Sequence, residues 1–347
     1  MASLQQLLEE AVENGMAPGA AALVARDDDV EIASAGDLEP DSIVRIASIT
    51  KPITAAAVML LADDGRLALD DPIARWLPEL SAPQVVRTPE SPIDDVVPAT
   101  RSVTVEDLLT FRAGWGFPSD FSLPAIVELF EKLPVFEVRE TPDEWLATLA
   151  SVPMLRQPGE AWLYNTCSDI QGVLVARVSG QSLPQFLAER IFAPLGMTDT
   201  GFHVSAAKLD RLSAALDADQ SIEPPVFPSG SGGLFSTLAD WHRFGRMLLA
   251  GGGRLLSAES VRLMTTDHLT REQREASTLF LEGAGWGFGG AVAADGRYGW
   301  IGGTGTAAHV VPSTDTVGVL LTQVQMTSPT PPPLMREFWR YAFGDLT

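Results

Sequence analysis

Cysteine and histidine are scarce in this sequence, and their scarcity excludes several kinds of site. The single cysteine, Cys167, has no partner for an internal disulfide and fits a reducing compartment. The four histidines show no metal-ligand spacing and no flanking cysteine; they are His203, His242, His268 and His309. We therefore expect no metal centre and no cofactor.

Positive charge is scarce as well. Lysine and arginine together number 24 against 45 acidic residues, which gives a formal net charge of −21. Nucleic acids and anionic membranes both require cationic patches, so neither is an expected partner. No apolar run approaches the ~18 residues of a membrane span, and the N-terminus lacks the basic start of a secretion signal. These absences predict a soluble, cytoplasmic protein and indicate nothing about its oligomeric state.

The predicted strands gather at the two ends of the chain, with helices between them. Strand patterns occur at 19–25, 30–33, 285–292, 298–301, 307–311 and 317–323. Helical patterns occur at 4–12, 143–150, 168–178, 183–193, 237–249, 258–265 and 334–343, while 83–101 and 200–230 are predicted as loops. The pattern predicts an α+β fold, a mostly antiparallel sheet flanked by helices. We expect residues 1–66 and 230–347 to form an α/β domain and 67–229 an inserted, largely helical domain, with the active site at their interface.

The stretch 42–65 contains the first candidate site. A short β-branched run changes after Ala47 into a long apolar helical pattern that ends near Gly65. Ser48 lies at the junction and Lys51 three residues later on the same helical face, so the amine can approach the hydroxyl. A lysine in apolar surroundings tends to lose its proton, and free N–H groups at a helix start favour an alkoxide. The pair predicts a nucleophile and its base, although a capping serine before a solvated lysine gives the same string.

Two further stretches could complete this site. Tyr164, one of only three tyrosines, follows a Pro-Gly turn and precedes a helix. Beside a lysine ammonium a tyrosine can be stabilised as a phenolate and relay protons, and simple ring packing is the alternative. The glycine-rich stretch 300–306 would let a ligand approach the backbone, where an N–H could form an oxyanion hole with that of Ser48. An ordinary turn between two strands is the alternative there.

Three other features of the sequence give weaker indications of function. The aromatic-rich stretch 113–133, which includes Trp115, predicts either a loop that lines a substrate pocket or ordinary core packing. Residues 285–290 match the dinucleotide-binding string G-x-G-x-x-G, but a strand pattern follows where a helix is required. No G-x-S-x-G nucleophile elbow is present in the sequence.

In their order and spacing, the three stretches resemble those of the serine β-lactamase and penicillin-binding-protein superfamily. The chain is most similar to its class C-related, family VIII type carboxylesterases, and the similarity extends over nearly the whole length. The segments that carry it include VTVEDLLTFRAGWG, QPGEAWLYN and GSGGLFSTLADWHRFGRMLL. The resemblance implies a serine β-lactamase-like fold in which Ser48 is the nucleophile, Lys51 its base and Tyr164 the proton relay. It also assigns the oxyanion N–H groups to Ser48 and Gly303, and a third substrate-binding box to Trp300, Ile301 and Gly302.

Two departures from the β-lactamase pattern point to the substrate. That pattern has Asn two residues after the tyrosine, where this chain has Thr166, with Asn165 one residue earlier. It also has Lys-Thr-Gly in the third box, where Trp300 and Ile301 offer neither a cation nor a hydroxyl for a carboxylate. The resemblance therefore implies a serine hydrolase that cleaves small-molecule esters through an acyl-enzyme. A β-lactamase or D-amino-acid peptidase, an acyltransferase, and a non-catalytic binding protein are the alternatives.

Overall fold

The computed structural model describes residues 3–134, 138–213 and 222–344. Within these ranges the strands are β1 (Gly19–Arg26), β2 (Asp29–Gly36), β3 (Val44–Arg45), β4 (Gln84–Val86), β5 (Val96–Pro98), β6 (Phe235–Ser236), β7 (Gly285–Trp286), β8 (Ala291–Val292), β9 (Tyr298–Gly302), β10 (Thr306–Val311) and β11 (Thr316–Leu321). Seven of them form one antiparallel sheet in the order β2-β1-β11-β10-β9-β8-β7. The sheet therefore joins strands from both ends of the chain.

The helices of the described ranges pack around this sheet, and most of them lie between β2 and β7 in the sequence. They are α1 (Leu4–Glu13), α2 (Lys51–Asp63), α3 (Val105–Leu109), α4 (Pro124–Lys132), α5 (Pro142–Ala150), α6 (Thr166–Ser179), α7 (Leu183–Leu187), α8 (Ala193–Leu195), α9 (Leu238–Leu249), α10 (Ala258–Met264), α11 (Arg271–Ala276), α12 (Thr278–Leu281) and α13 (Pro333–Phe343). A π-helical segment, Ala188–Phe192, connects α7 to α8. None of the helices in these ranges is long and apolar enough to cross a membrane.

Strand β1 shows why the sheet is covered on both faces. Its residues alternate between two hydrophobic clusters, as the two-residue period of a strand requires. Ala21 and Leu23 pack into the cluster that contains α2 and α9, while Ala22 and Val24 pack with α1 and α13. A strand buried on both faces needs apolar residues at every position, which explains the unbroken run that the sequence has here.

Helix α2 lies at the centre of the larger cluster. Every residue from 51 to 61 is buried, including Lys51, and α6 packs against this helix. A helix that is apolar on all sides has to be buried on all sides, so the only charged residue in this stretch is forced into the interior. The fold thus places one lysine amine where water cannot reach it.

The predicted fold class is confirmed, and several local predictions are wrong. Residues 83–101, predicted as a loop, contain the β4–β5 hairpin, and 113–133 ends in helix α4. The predicted strand at 285–292 is two short strands, because Gly289 turns the chain with a φ of +76°. Helices α11 and α12 lie between the predicted helix at 258–265 and the predicted strand at 285–292, where no element was predicted. Part of the predicted loop 200–230 lies outside the described residues, and the two-domain division stays a prediction.

Candidate active site

The backbone before Ser48 is bound to the turn between β9 and β10. Strand β3 ends at Arg45, and the Thr304 and Thr306 hydroxyls donate to the carbonyls of Arg45 and Ile46 at 2.8 Å each. Ala47 then adopts a φ of +46°, and a 3₁₀ turn, Ala47–Thr50, leads into α2. Ser48 therefore lies half-buried in a tight turn directly ahead of the α-helix, at the junction where the sequence placed it.

Lys51 places its amine against three oxygen atoms. Its Nζ lies 2.9 Å from Ser48 Oγ, 2.8 Å from Asn165 Oδ1 and 2.7 Å from Ser231 O. The ammonium form can donate to all three. The neutral amine has only two N–H donors, which the two carbonyl oxygens occupy, so its lone pair is left to face the Ser48 hydroxyl. The arrangement suits both protonation states of a base.

The environment of Lys51 favours loss of its proton. Burial away from water lowers the pKa of the amine from 10.5 to about 7, and the negative charge of Asp169 opposes this shift. A lysine with a pKa of about 7 is partly neutral at neutral pH, as a general base has to be. The sequence predicted this direction from the apolar helix alone.

Tyr164 lies on the other side of the serine hydroxyl. The Ser48 hydroxyl faces its Oη and opposes the rise in its pKa, and Oη accepts from Trp300 Nε1 at 2.7 Å. Lys51 Nζ lies 4.6 Å from the centre of the tyrosine ring. Burial raises the pKa of the Tyr164 hydroxyl to about 12, so the phenolate expected from the sequence does not form near neutral pH. Because the Trp300 N–H occupies an acceptor position on Oη, the phenol proton remains available to donate.

The third predicted box, residues 300–302, lies in β9 and packs against the turn that contains Ser48. A Cβ on Gly302 would lie 2.6 Å from Ile46 O and 3.2 Å from the Ala47 Cβ, so only glycine permits this approach. In the described ranges, neither the Ser48 nor the Gly303 main-chain N–H has a hydrogen-bond acceptor. An oxyanion hole needs such free N–H donors, and the assignment of Ser48 and Gly303 to one stays a prediction.

The remaining residues named from the sequence differ in their surroundings. Ile301, between Trp300 and Gly302 in β9, is half-buried and packs against both hydrophobic clusters, and its place in the third box stays a prediction. Trp115 is only 2% exposed and donates its indole N–H to Val152 O at 3.0 Å, which fits the alternative of core packing. Cys167 is fully buried, and burial raises the pKa of its thiol to about 12, which makes it unreactive.

Asn165 and Ser231, which contact the Lys51 amine, and Asp169, whose charge acts on it, could not be identified as site residues from the sequence. Asn165 provides an amide oxygen for the amine from a backbone with a φ of +78°, a strained conformation for a residue other than glycine. The β-lactamase pattern directs attention to position 166, whereas here the neighbouring residue makes the contact. Asparagine tolerates positive φ better than most residues, so an Asn directly after the tyrosine was the available signal.

A cavity lies next to the rings that pack on Tyr164. It has a volume of about 270 Å³, and its lining includes three aromatic rings, Phe117, Trp162 and Phe280, beside the charged side chains of Glu90, Asp120 and Arg156. The rings of Phe280 and Trp162 lie with their centres 4.8 Å and 5.8 Å from that of Tyr164. Within the described ranges no three His, Cys, Asp or Glu side chains are grouped as a metal site would require.

Known proteins resemble this chain over most of its length. A family model described as Beta-lactamase matches residues 4–335. "Protein Rv1367c" of Mycobacterium tuberculosis is 40% identical over 318 residues, covering 82% of this chain and 78% of that protein. "Esterase EstB" of Burkholderia gladioli is 28% identical over 327 residues, covering 83% and 78% respectively. A solved structure described as "EstCE1, a hydrolase with promiscuous acyltransferase activity" matches with a TM-score of 0.79 at 21% identity, over 96% of each chain. The resemblance inferred from the sequence is thereby confirmed, and the chain belongs to the beta-lactamase family.

Proposed function

We propose that this protein is a serine carboxylesterase that hydrolyses small, uncharged esters through a covalent acyl-enzyme. The observation that carries the proposal is the position of the Ser48 hydroxyl between a buried lysine amine at 2.9 Å and the Tyr164 phenol. A serine placed this way is activated without histidine or metal. Similarity to the esterase EstB over most of the chain supports the same activity.

In the proposed reaction, neutral Lys51 takes the proton as Ser48 Oγ attacks the ester carbonyl. The new Oγ–C bond produces an oxyanion, which the N–H groups of Ser48 and Gly303 bind. Collapse of this intermediate breaks the bond to the alcohol oxygen. That oxygen takes the phenol proton of Tyr164 while the Lys51 ammonium returns its proton to the phenol oxygen in the same step, so no free phenolate is left and Lys51 is neutral again. Water then attacks the acyl-enzyme by the same groups in reverse and releases the acid.

The aromatic wall of the cavity, formed by Phe117, Trp162 and Phe280, favours a substrate with an apolar group. The cavity's volume of about 270 Å³ is near the lower end of the ~300–1,000 Å³ typical of small-molecule pockets. The rings of its wall contact Tyr164, which donates to the departing alcohol in the proposed reaction. We propose that the apolar part of the alcohol lies there, and that the partner of this protein is a small molecule.

A fluorophosphonate probe together with a panel of chromogenic esters tests the proposal. The probe should add one phosphonyl group per chain, and peptide mapping should place it on Ser48. If a chromogenic ester acylates the protein and the acyl group leaves only after an alcohol is added, the protein is an acyltransferase instead. A protein that gains no mass and turns over no ester would be a non-catalytic member of the family.

Ester hydrolysis should rise with pH through a midpoint near 7. The base has to be neutral, and burial sets the pKa of Lys51 at about 7, so protonation below that value removes the active form. Each pH unit below the midpoint should lower kcat/KM roughly tenfold, while Tyr164, with a pKa of about 12, stays protonated throughout. Initial rates on an activated aryl ester from pH 5 to 9 measure this. A flat profile over that range would contradict a lysine base.

Trp300→Phe should lower kcat roughly three- to tenfold, the effect of losing one hydrogen bond of ~0.5–1.5 kcal/mol. The phenylalanine keeps ring packing but removes the N–H that donates to Tyr164 Oη. Trp286→Phe is the matched control, because that ring lies 4.8 Å from Trp300 and its buried N–H has no partner in the described ranges. Equal losses in the two variants would show that the hydrogen bond plays no part.

A further inference from the structure

The buried carboxylate of Asp169 binds Ser231, the residue whose main-chain carbonyl contacts Lys51. Asp169 Oδ1 accepts from the Ser231 N–H at 3.0 Å and from the Ser229 hydroxyl at 2.7 Å. Ser231 O in turn accepts from Lys51 Nζ at 2.7 Å. Ser231 is therefore bound through its N–H by Asp169 and through its carbonyl by Lys51. Asp169 itself lies one helical turn after Asn165, the residue that provides another of the contacts with the amine.

The turn formed by residues 229–231 is wedged between two helices. Thr54 Oγ1 of α2 donates to Gly230 O at 2.8 Å. On the other side, a Cβ at Gly230 would lie 2.4 Å from Ser168 O of α6. With both sides in contact, the Ser231 carbonyl has little room to move independently of Asp169.

The charge of Asp169 also acts on the amine. Within the described ranges the titratable groups facing Lys51 Nζ are Asp169 from α6 and Tyr164 from the loop before it. The 229–231 turn contributes only hydroxyl and main-chain groups, and β9 contributes the uncharged Trp300. Burial raises the pKa of the Asp169 carboxyl, while the donors from Ser229 and Ser231 and the nearby Lys51 oppose this rise. Two donors directed at one oxygen favour the ionised carboxylate.

We infer that Asp169 is a positioning residue for the Lys51 base, which directs the Ser231 carbonyl to the amine and controls how readily the amine keeps its proton. The inference rests on the proposed function, because a base is required only if Ser48 is acylated. Asp169 acts through Ser231 and through its charge, so its removal should change the titration of Lys51 more than the binding of substrate.

Direct titration of the lysine tests this. The sequence contains only three lysines, Lys51, Lys132 and Lys208, so ¹³C-lysine labelling gives three side-chain signals that can be followed by NMR. Lys132 and Lys208 form ion pairs away from the site, with Glu128 and Asp199, and serve as internal references. The titration midpoint of Lys51 measured in this way does not depend on enzymatic activity.

Asp169→Asn keeps an oxygen that can accept from Ser229 and Ser231 but removes the negative charge. The Lys51 midpoint should fall by roughly one pH unit, and the acid limb of kcat/KM on an aryl ester should move to lower pH with it, with little change in KM. Asp240→Asn is the matched control: it removes a buried carboxylate, 1% exposed, that pairs with Arg243 on α9, and should leave the Lys51 midpoint in place.

If Asp169→Asn does not fold, Ser229→Ala decides the question. It removes the hydroxyl that stabilises the ionised carboxylate, so the Lys51 midpoint should fall by a smaller amount in the same direction. An unchanged Lys51 midpoint in the folded variant overturns the inference. Failure of the proposed function is recognised separately, as a parent protein whose Ser48 takes up no fluorophosphonate.

Discussion

Replacing Ser48 by alanine is expected to abolish both fluorophosphonate labelling and ester turnover in a protein that remains folded. Loss of the nucleophile should lower kcat by at least about 10⁴-fold, far more than any effect on binding. The change removes one half-buried hydroxyl, and Lys51 keeps its contacts with Asn165 and Ser231. The thermal unfolding midpoint should therefore change little. Intact-mass analysis after labelling and initial rates on an aryl ester are the measurements.

Ser168→Ala provides the matched control for this result. Ser168 lies in α6 close to the site, is fully buried, and its hydroxyl has no hydrogen-bond partner in the described ranges. This variant should keep both labelling and turnover. If Ser48→Ala retains full labelling, the nucleophile is another residue, and the function proposed from the Ser48–Lys51–Tyr164 arrangement is wrong.

Local patterns were sufficient to predict most of the fold. The apolar run of β1 and the periodic pattern of α9 each specify one element whose residues are neighbours in sequence, and both were predicted within a few residues. The β4–β5 hairpin was missed because each strand is three residues long and a proline-rich segment separates them. Helix α4 was missed because it is short, with nine residues, and follows a stretch rich in glycine, proline and aromatic residues.

The site shows where sequence reasoning ends. Ser48 and Lys51 are three residues apart, so helical geometry alone brings them together. Ser231 lies 180 residues from Lys51 and contacts it only through the packing of the 229–231 turn between α2 and α6. The protonation of Tyr164 could not be predicted either, because it depends on how completely the tertiary structure buries the ring.

The structure strengthens the expectation that esters are preferred over β-lactams. A β-lactam carries a carboxylate beside its scissile amide, and binding it requires a cation or free hydroxyl donors at the third box. The Trp300 N–H is already donated to Tyr164, and the hydroxyls of Thr304 and Thr306 are donated to main-chain carbonyls. Ile301 has no polar group. A net charge of −21 adds no attraction for anions.

Neutral aryl esters should therefore be hydrolysed at least 100-fold more efficiently than a chromogenic cephalosporin. A charge-assisted hydrogen bond of roughly 1.5–3 kcal/mol corresponds to about 10–100-fold, and the poorer leaving group of an amide adds to this. Values of kcat/KM for a p-nitrophenyl ester, the same ester bearing a carboxylate beside the carbonyl, and the cephalosporin separate the two contributions. The carboxylate alone should reduce the efficiency about 10–100-fold. Equal efficiency on the lactam ring would mean that the site recognises the carboxylate through groups other than these, and the esterase assignment would fail.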